Sequence, residues 1–319
     1  MQQPHSLPIR SGVRALRIQS DLAQVADLME IAFQNTFTAL DFRNMSELRW
    51  FAQHKLLLWF IAQLGAVQFS ESGFIFEQDG HIVGHLSLQP SAKEGKHWLI
   101  ANVAVLPEYR RRGIASQLVH TALEKVYQTD AKAVSLQVDV ANQSAIDLYK
   151  RAGFEIVATY TLWERNFYGK PSPPVPNTAL HHANWQELPA IHKFLMTYRP
   201  NGLDWQETRP KSQTHRISWF VQRVLSGLLL SNEDWVNQQT QEIAGWMRLP
   251  FASIQPIELV INPLFQERLL PSFLYKAIQR LQRLQSLIQV HYPYQQGVPT
   301  FAEFNFFPRQ HTHDMRLIL

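Results

Sequence analysis

The sequence contains no cysteine among its 319 residues. That excludes a disulfide scaffold, a thiolate zinc site, an iron–sulfur cluster and a cysteine nucleophile. It also lacks a long uninterrupted apolar run. The most apolar early stretch, Phe51 to Val67, is broken by His54, Lys55 and Gln63. It falls short of the roughly 20 residues needed to span a bilayer, and reads instead as a buried or half-buried helix. Residues 1–12 are polar, carry two prolines and have no apolar targeting core, so they read as a flexible lead. A strong charge of one sign is missing too. Thirty basic residues against 26 acidic ones give net +4, too mild for a dedicated nucleic-acid protein. The sequence pI near 9.3 still leaves room for a local basic site. The expectation is a cytoplasmic protein without nucleic-acid, membrane or metal partners.

What is present suits folded domains: 45% hydrophobic, 12% aromatic and 18% charged residues. The length suggests two domains. A short strand is expected at 14–18, then a helix capped by Asp21 and running to about Phe33. A second helix is expected from Ser46 through Leu64. Residues 73–88 read as a hairpin around Asp79-Gly80. A strand over 97–106, a helix with Ile114, Leu118, Ala122 and Val126 on one face, and a strand over 133–140 follow. A short helix over about 143–152 ends at Gly153, and a strand runs from Phe154 to about Arg165. KPSPPVP at 170–176 is the clearest linker, dividing a domain at 1–169 from one at 177–319. Helical patterns at 185–198 and 213–230 lead into strands EIAGWMRL and PIELVIN, a helix near 266–284 and the strand LIQVHYPY. Pro107, Tyr109, Arg112, Ser116 and Leu118 have counterparts 156 positions later at Pro263, Phe265, Arg268, Ser272 and Leu274. Ile82, Gly84 and Leu88 match Ile243, Gly245 and Leu249 at a spacing of 161. Two matched blocks in the same order favour a diverged internal duplication.

Chemistry concentrates in VAVLPEYRRRGIAS, residues 103–116. A strand stops at Pro107, Arg110, Arg111 and Arg112 follow, and Gly113 opens a helix. The first turn of a helix offers free N–H groups and the positive end of the dipole. Gly113 and the small Ala115 allow a pyrophosphate to approach closely. Further on, Asn142 begins a helix and Tyr149 lies seven residues later, about two turns along the same face. Together these segments resemble the GCN5-related N-acetyltransferase (GNAT) family. Its phosphate loop, Arg/Gln-x-x-Gly-x-Gly/Ala, is matched by Arg110, Gly113 and Ala115. Its second signature is matched by Asn142, Ala145, Leu148, Tyr149, Gly153 and Phe154. The resemblance covers roughly residues 14–165.

The resemblance implies an α/β fold with a mixed, mostly antiparallel sheet, whose fourth and fifth strands splay around the coenzyme A arm. The backbone of Val103, Ala104 and Val105 would bind the pantetheine amides like an added strand. The Arg111–Ser116 backbone, including Ile114, would cradle the pyrophosphate. Asn142 would contact the arm, and Tyr149 would reach the thioester sulfur. Read from the residues alone, Asn142 could be a plain helix cap and Tyr149 a core aromatic. The implied reaction is direct attack of a primary amine on acetyl-CoA, with a small-molecule amine or a peptide as acceptor and no metal. An uncharged lysine-like amine costs about 4.6 kcal/mol at neutral pH. Full proton transfer from a tyrosine to the leaving thiolate is uphill by about 2 kcal/mol on reference pKa values. Deprotonating the amine is therefore the larger demand.

Here the chain departs from familiar patterns: Gln137 stands where a fifth-strand glutamate is often found, and no carboxylate lies between Leu99 and Val105. Asp139 is the first candidate base, with His85, Glu77, Glu94 and His97 behind it. A water chain or an acceptor of low pKa would remove the need for any of them. At the second-half counterparts of Gly113 and Ala115 stand Leu269 and Pro271, so the second domain reads as a degenerate GNAT-like copy. It holds five of the nine tryptophans, which suits a core or an interface equally. Competing readings are a catalytically silent acyl-CoA-binding or sensor protein, and a tandem peptidyl-transferring relative using charged tRNA. The complete phosphate loop disfavours the latter. Monomer and homodimer are both open.

Overall fold

The computed structural model describes residues 11–34, 73–90, 96–166, 173, 175, 178–199, 233–239, 242–250, 256–281 and 287–319. Most of the lead, the helix expected at Ser46–Leu64, most of the proline-rich segment and the helical pattern at 213–230 lie outside the described residues. Among those described, the first half runs β1 (Gly12–Ala15), α1 (Ile18–Phe33), β2 (Phe74–Gln78), β3 (His81–Pro90), β4 (His97–Val105), a 3-10 turn (Pro107–Tyr109), α2 (Ile114–Tyr127), β5 (Ala133–Asp139), α3 (Gln143–Arg151) and β6 (Glu155–Asn166). The second runs β7 (Leu180–His182), α4 (Leu188–Tyr198), β8 (Glu233–Gln239), β9 (Glu242–Leu249), β10 (Ile257–Ile261), a 3-10 turn (Pro263–Phe265), α5 (Gln266–Leu281), β11 (Leu287–Pro293), α6 (Val298–Glu303) and β12 (Phe307–Ile318). The two series have the same order.

Contacts divide the chain into two compact units: Met1–Gln137 with Ser144–Glu155 and Arg316–Leu319, and Val138–Gln143 with Ile156–Met315. In the first, strands lie in the order β1-β2-β3-β4-β5. The β2–β3 hairpin turns at Asp79 and Gly80, whose φ values of 55° and 82° are those a two-residue hairpin turn requires. β3 pairs antiparallel with β4, and β4 pairs parallel with β5. Helix α1 packs Val25, Leu28 and Met29 on Ile75 and Ala104. Helix α2 lies over Gly84, where a Cβ would come within 2.8 Å of Ile114 and 3.2 Å of Leu118.

The start of α1 differs from expectation. Asp21 lies inside the first turn, and the helix begins at Ile18 with no side-chain cap. The Asp21 carboxylate instead accepts from the Arg17 backbone N–H at 2.7 Å and from Arg14 at 2.6 and 3.1 Å. Arg14 also donates to Glu77 at 2.6 Å. A buried carboxylate finds its partners across the unit, and the turn forms around it. Its pKa is lowered: burial pushes it up, but the hydrogen bonds from Arg14, Arg17 and Ser20 outweigh that.

In the second unit the order is β12-β6-β11-β10-β9-β8-β7. A strand of the first half, β6, thus lies between two strands of the second half. It pairs antiparallel with β11 from Asn166↔Leu287 to Tyr160↔Pro293. The core gathers Trp163, Trp235, Met247, Leu259, Phe273, Ile288, Phe301 and their neighbours, with Trp163 stacked on Phe301 at 4.5 Å. Gly245 repeats the role of Gly84, because a Cβ there would stand 2.5 Å from the Phe273 ring. That ring is fully buried. Gly245→Ala should therefore lower stability by about 1–3 kcal/mol through overpacking. Thermal unfolding checks this, and an unchanged midpoint would show that α5 yields freely.

Candidate active site

The segment after β4 is anchored first and opened second. Leu106 N–H donates to Val83 O at 3.0 Å, and Tyr109 N–H to Leu106 O at 2.9 Å. The chain then enters the left-handed region twice, at Arg111 (φ 61°) and Gly113 (φ 78°). Such turns gather successive N–H groups into an anion-binding concavity. Gly113 is the N-cap of the 14-residue α2 and supplies no side-chain cap. The first bond into the helix is Gln117 N–H to Gly113 O at 3.0 Å, which leaves the N–H groups of Ile114, Ala115 and Ser116 for a ligand. A Cβ on Gly113 would meet only Gln117, at 3.9 Å, so the space above the turn is open.

The arginines divide their work. Arg110 donates from Nε to Val105 O at 3.1 Å and from Nη2 to Ala32 O at 3.4 Å. Arg112 donates to Glu108 O at 2.9 Å and lies 5.0 Å from the Tyr109 ring centre. Both brace the turn. The exposed Arg111 makes no such bond among the described residues, so its charge is available at the surface of the turn.

The parallel register of β4 and β5 runs from His97↔Ala133 to Ile100↔Leu136 and stops there. Beyond it Ala104 and Val105 pair with β3, through Ala104↔His85 and Val105↔Gly84, while Val103 lies at a register shift. This is the splayed edge that the resemblance implies.

Tyr149 projects from α3 with its ring 5% exposed, set edge-on to Phe154 at 6.1 Å. Gly153, at φ 91°, reverses the chain so that Phe154 N–H bonds Tyr149 O at 3.0 Å. Burial pushes the Tyr149 hydroxyl up to about 12. In the other unit, Asn142 N–H donates to Asp139 O at 2.9 Å just before α3. The Asp139 carboxylate has both oxygens engaged, accepting from Ala141 N–H at 2.7 Å and from Gln310 Nε2 at 2.7 Å.

Of the other candidate bases, Glu77 is held by Arg14, His97 Nε2 lies 2.9 Å from Ser135 Oγ, and Glu94 is outside the described residues. His85 is buried at 3% exposure, and burial pushes its pKa down to about 4. It is therefore neutral at physiological pH. Two neighbouring polar residues went unnoticed in the sequence, Ser87 and Asn102. The signal was there in WLIANVAV, where one asparagine interrupts an apolar strand.

In the second unit, residues 266–269, at the spacing of Arg110–Gly113, are already helical: α5 begins at Gln266 directly after its 3-10 turn. Leu269 is fully buried in the core, and Pro271 lies within the helix. No left-handed turn precedes this helix among the described residues. Among the described residues no three histidine or acidic side chains gather as a metal site would require, and no helix is long and apolar enough to cross a membrane.

Residues 25–154 match the description "Acetyltransferase (GNAT) family". The chain is 33% identical over 105 residues to an N-alpha-acetyltransferase of Sulfurisphaera tokodaii, covering 28% of this chain and 60% of that one. It is 36% identical over 99 residues to the N-alpha-acetyltransferase daf-31 of Caenorhabditis elegans, covering 30% and 54%. The chain thus spans little more than half the length of these relatives. Two solved structures share its fold along nearly the whole chain at 14% identity. One is a GCN5-related N-acetyltransferase from Sphaerobacter thermophilus, with TM-score 0.63 and coverage of 98% and 97%. The other is a tandem GNAT protein from the clavulanic acid biosynthesis pathway, with TM-score 0.56 and coverage of 97% and 98%. Residues 25–154 form a domain of the GNAT acetyltransferase family.

His85 also carries a pH signature. Its folded pKa lies below the ordinary 6.5, so the unfolded chain binds the proton more readily. The contribution is complete above about pH 6.5 and is lost as pH falls toward about 4, by roughly 3 kcal/mol at most. His291 on β11 is pushed down to about 4 by burial too and adds to the slope. Denaturant unfolding from pH 7 to 4 should show stability falling, and His85→Gln should flatten part of that fall. An identical slope in the variant would contradict the burial of His85.

Proposed function

We propose that the chain is an acetyl-CoA-dependent N-acetyltransferase acting by direct attack of a primary amine in a ternary complex. The observation that carries the reading is the open left-handed turn at Arg111–Gly113, set at the end of a strand whose far edge is free of β5. The fit is specific. A pyrophosphate needs convergent N–H groups with no side chain in the way, and Gly113 leaves that space empty. Acetyl-CoA would supply the activated acetyl group as a thioester. The backbone of Val103, Ala104 and Val105 would hold its amide arm as an added strand, and Arg110 to Ser116 would hold its phosphates. Asn142 would meet the arm near the start of α3. The second half is read as a degenerate copy of the first, supported by the repeated element order, the paired roles of Gly84 and Gly245, and the helical 266–269 segment.

Tyr149 donates a hydrogen bond to the sulfur as charge develops. With its hydroxyl raised to about 12, full proton transfer to a thiolate of ordinary pKa near 8.5 would be uphill by about 5 kcal/mol. Hydrogen-bond donation carries no such cost and is strongest when the sulfur is anionic. Asp139 acts on the amine only by exchanging its Gln310 bond. An acceptor of low pKa lessens the demand on any base. An α-amine near 7.7–8.0 needs only about 1 kcal/mol to be uncharged at pH 7, against about 4.6 kcal/mol for a lysine. The N-alpha-acetyltransferase relatives support the same choice of an α-amine, on a peptide or a small molecule.

The test uses acetyl-CoA with peptides that have free or blocked N-termini and one internal lysine, reading release of free thiol. Free N-termini should be acetylated and blocked ones should not. Tyr149→Phe should lower kcat about 10²-fold while acetyl-CoA affinity changes little, because the bond forms chiefly in the transition state. Equal turnover by the variant would remove Tyr149 from the chemistry, and equal use of blocked peptides would overturn the α-amine assignment.

A further inference from the structure

We propose that His85, Ser87 and Asn102 form a positioning chain that holds a bulge in β4 in the register required by the acyl arm of acetyl-CoA. The proposal rests on the acetyl-CoA reading of the same site. Opposite β3, Ala101 pairs with Ser87 and Ala104 with His85. Asn102 and Val103 therefore face Leu86 alone. A two-against-one bulge takes backbone groups off the ladder and re-aims them. Its position matters, because β4 has parted from β5 just before it, after Ile100↔Leu136. Backbone groups displaced from the β3 ladder thus lie where the other edge of the strand is already free.

The bulge is held in an uncommon conformation. Asn102 has φ 53°, a left-handed value that asparagine tolerates better than most residues. Its Nδ2 donates to Ser87 Oγ at 3.2 Å, and Ser87 Oγ lies 3.0 Å from His85 Nε2. An amide nitrogen can only donate, so Ser87 accepts from Asn102 and its own proton is free to go to the histidine. The chain runs inward from the exposed Asn102 to a histidine that is buried and uncharged. The His85 ring also interacts with the Phe74 backbone of β2, so the histidine ties Ser87, and through it the bulge, to the neighbouring strand.

The experiment compares binding of acetyl-CoA with binding of 3′-phosphoadenosine 5′-diphosphate, the nucleotide half without the arm. Ser87→Ala should weaken acetyl-CoA about 10-fold, the scale of one hydrogen bond, and leave the nucleotide within about twofold. Ser87→Thr keeps the hydroxyl and should restore most of the loss. Asn102→Gly keeps the left-handed backbone while removing the side chain. It should show the same selective loss, and it carries the test if Ser87→Ala does not fold. Combining the two should be no worse than the stronger single variant, since both break one chain. Equal loss for both ligands, no loss for either, or an additive double variant would overturn the proposal. A wild-type protein that binds neither ligand would instead overturn the acetyl-CoA reading, and this proposal with it.

Discussion

The point at which β4 and β5 stop pairing governs what the first unit can do. Up to Ile100↔Leu136 the two strands share a ladder, as parallel strands joined by a helical crossover do. Past that point β4 continues alone on β3 and ends at Pro107. Helix α2 then starts from a turn that only a residue without a side chain can complete without strain. The depth of α2 is in turn set by Gly84, which lets Ile114 and Leu118 lie directly on the sheet. Free strand edge, left-handed turn and seated helix are therefore one construction. Loss of any part would misplace the others.

The second unit repeats the strand pairing of that construction without its turn. β9, β10 and β11 repeat the antiparallel and parallel pairing of β3, β4 and β5, and Gly245 again makes room for a helix. Yet residues 266–269, at the spacing of Arg110–Gly113, are helical here, and Leu269 is buried in the core. Hydrophobic burial can use a leucine there; a phosphate cannot.

Local chemistry made much of this legible in the sequence. The Asp79-Gly80 turn, the stop at Pro107, the helix from Ile114 and the reversal at Gly153 each follow from the conformational limits of a few neighbouring residues. Long-range pairing was not legible. Nothing in EDWVNQQ marks β8, and the polar β12 is a strand because β6 lies beside it. Asp21 signalled a cap, but Arg14 and Arg17 drew it inside the helix. In the candidate site, the turn that opens α2 and the place of Tyr149 on α3 could be read from spacing. The engagement of Asp139 by Gln310 could not, since 171 residues separate them. The β4 bulge left only an asparagine in an apolar strand as its trace.

If one half of the chain holds acetyl-CoA on the turn at Gly113 and the other half does not, calorimetric titration of the intact protein with acetyl-CoA should give one site per chain. Gly113→Leu should abolish it in a protein that still unfolds cooperatively. Two equivalent sites, or unchanged affinity in the variant, would contradict this reading.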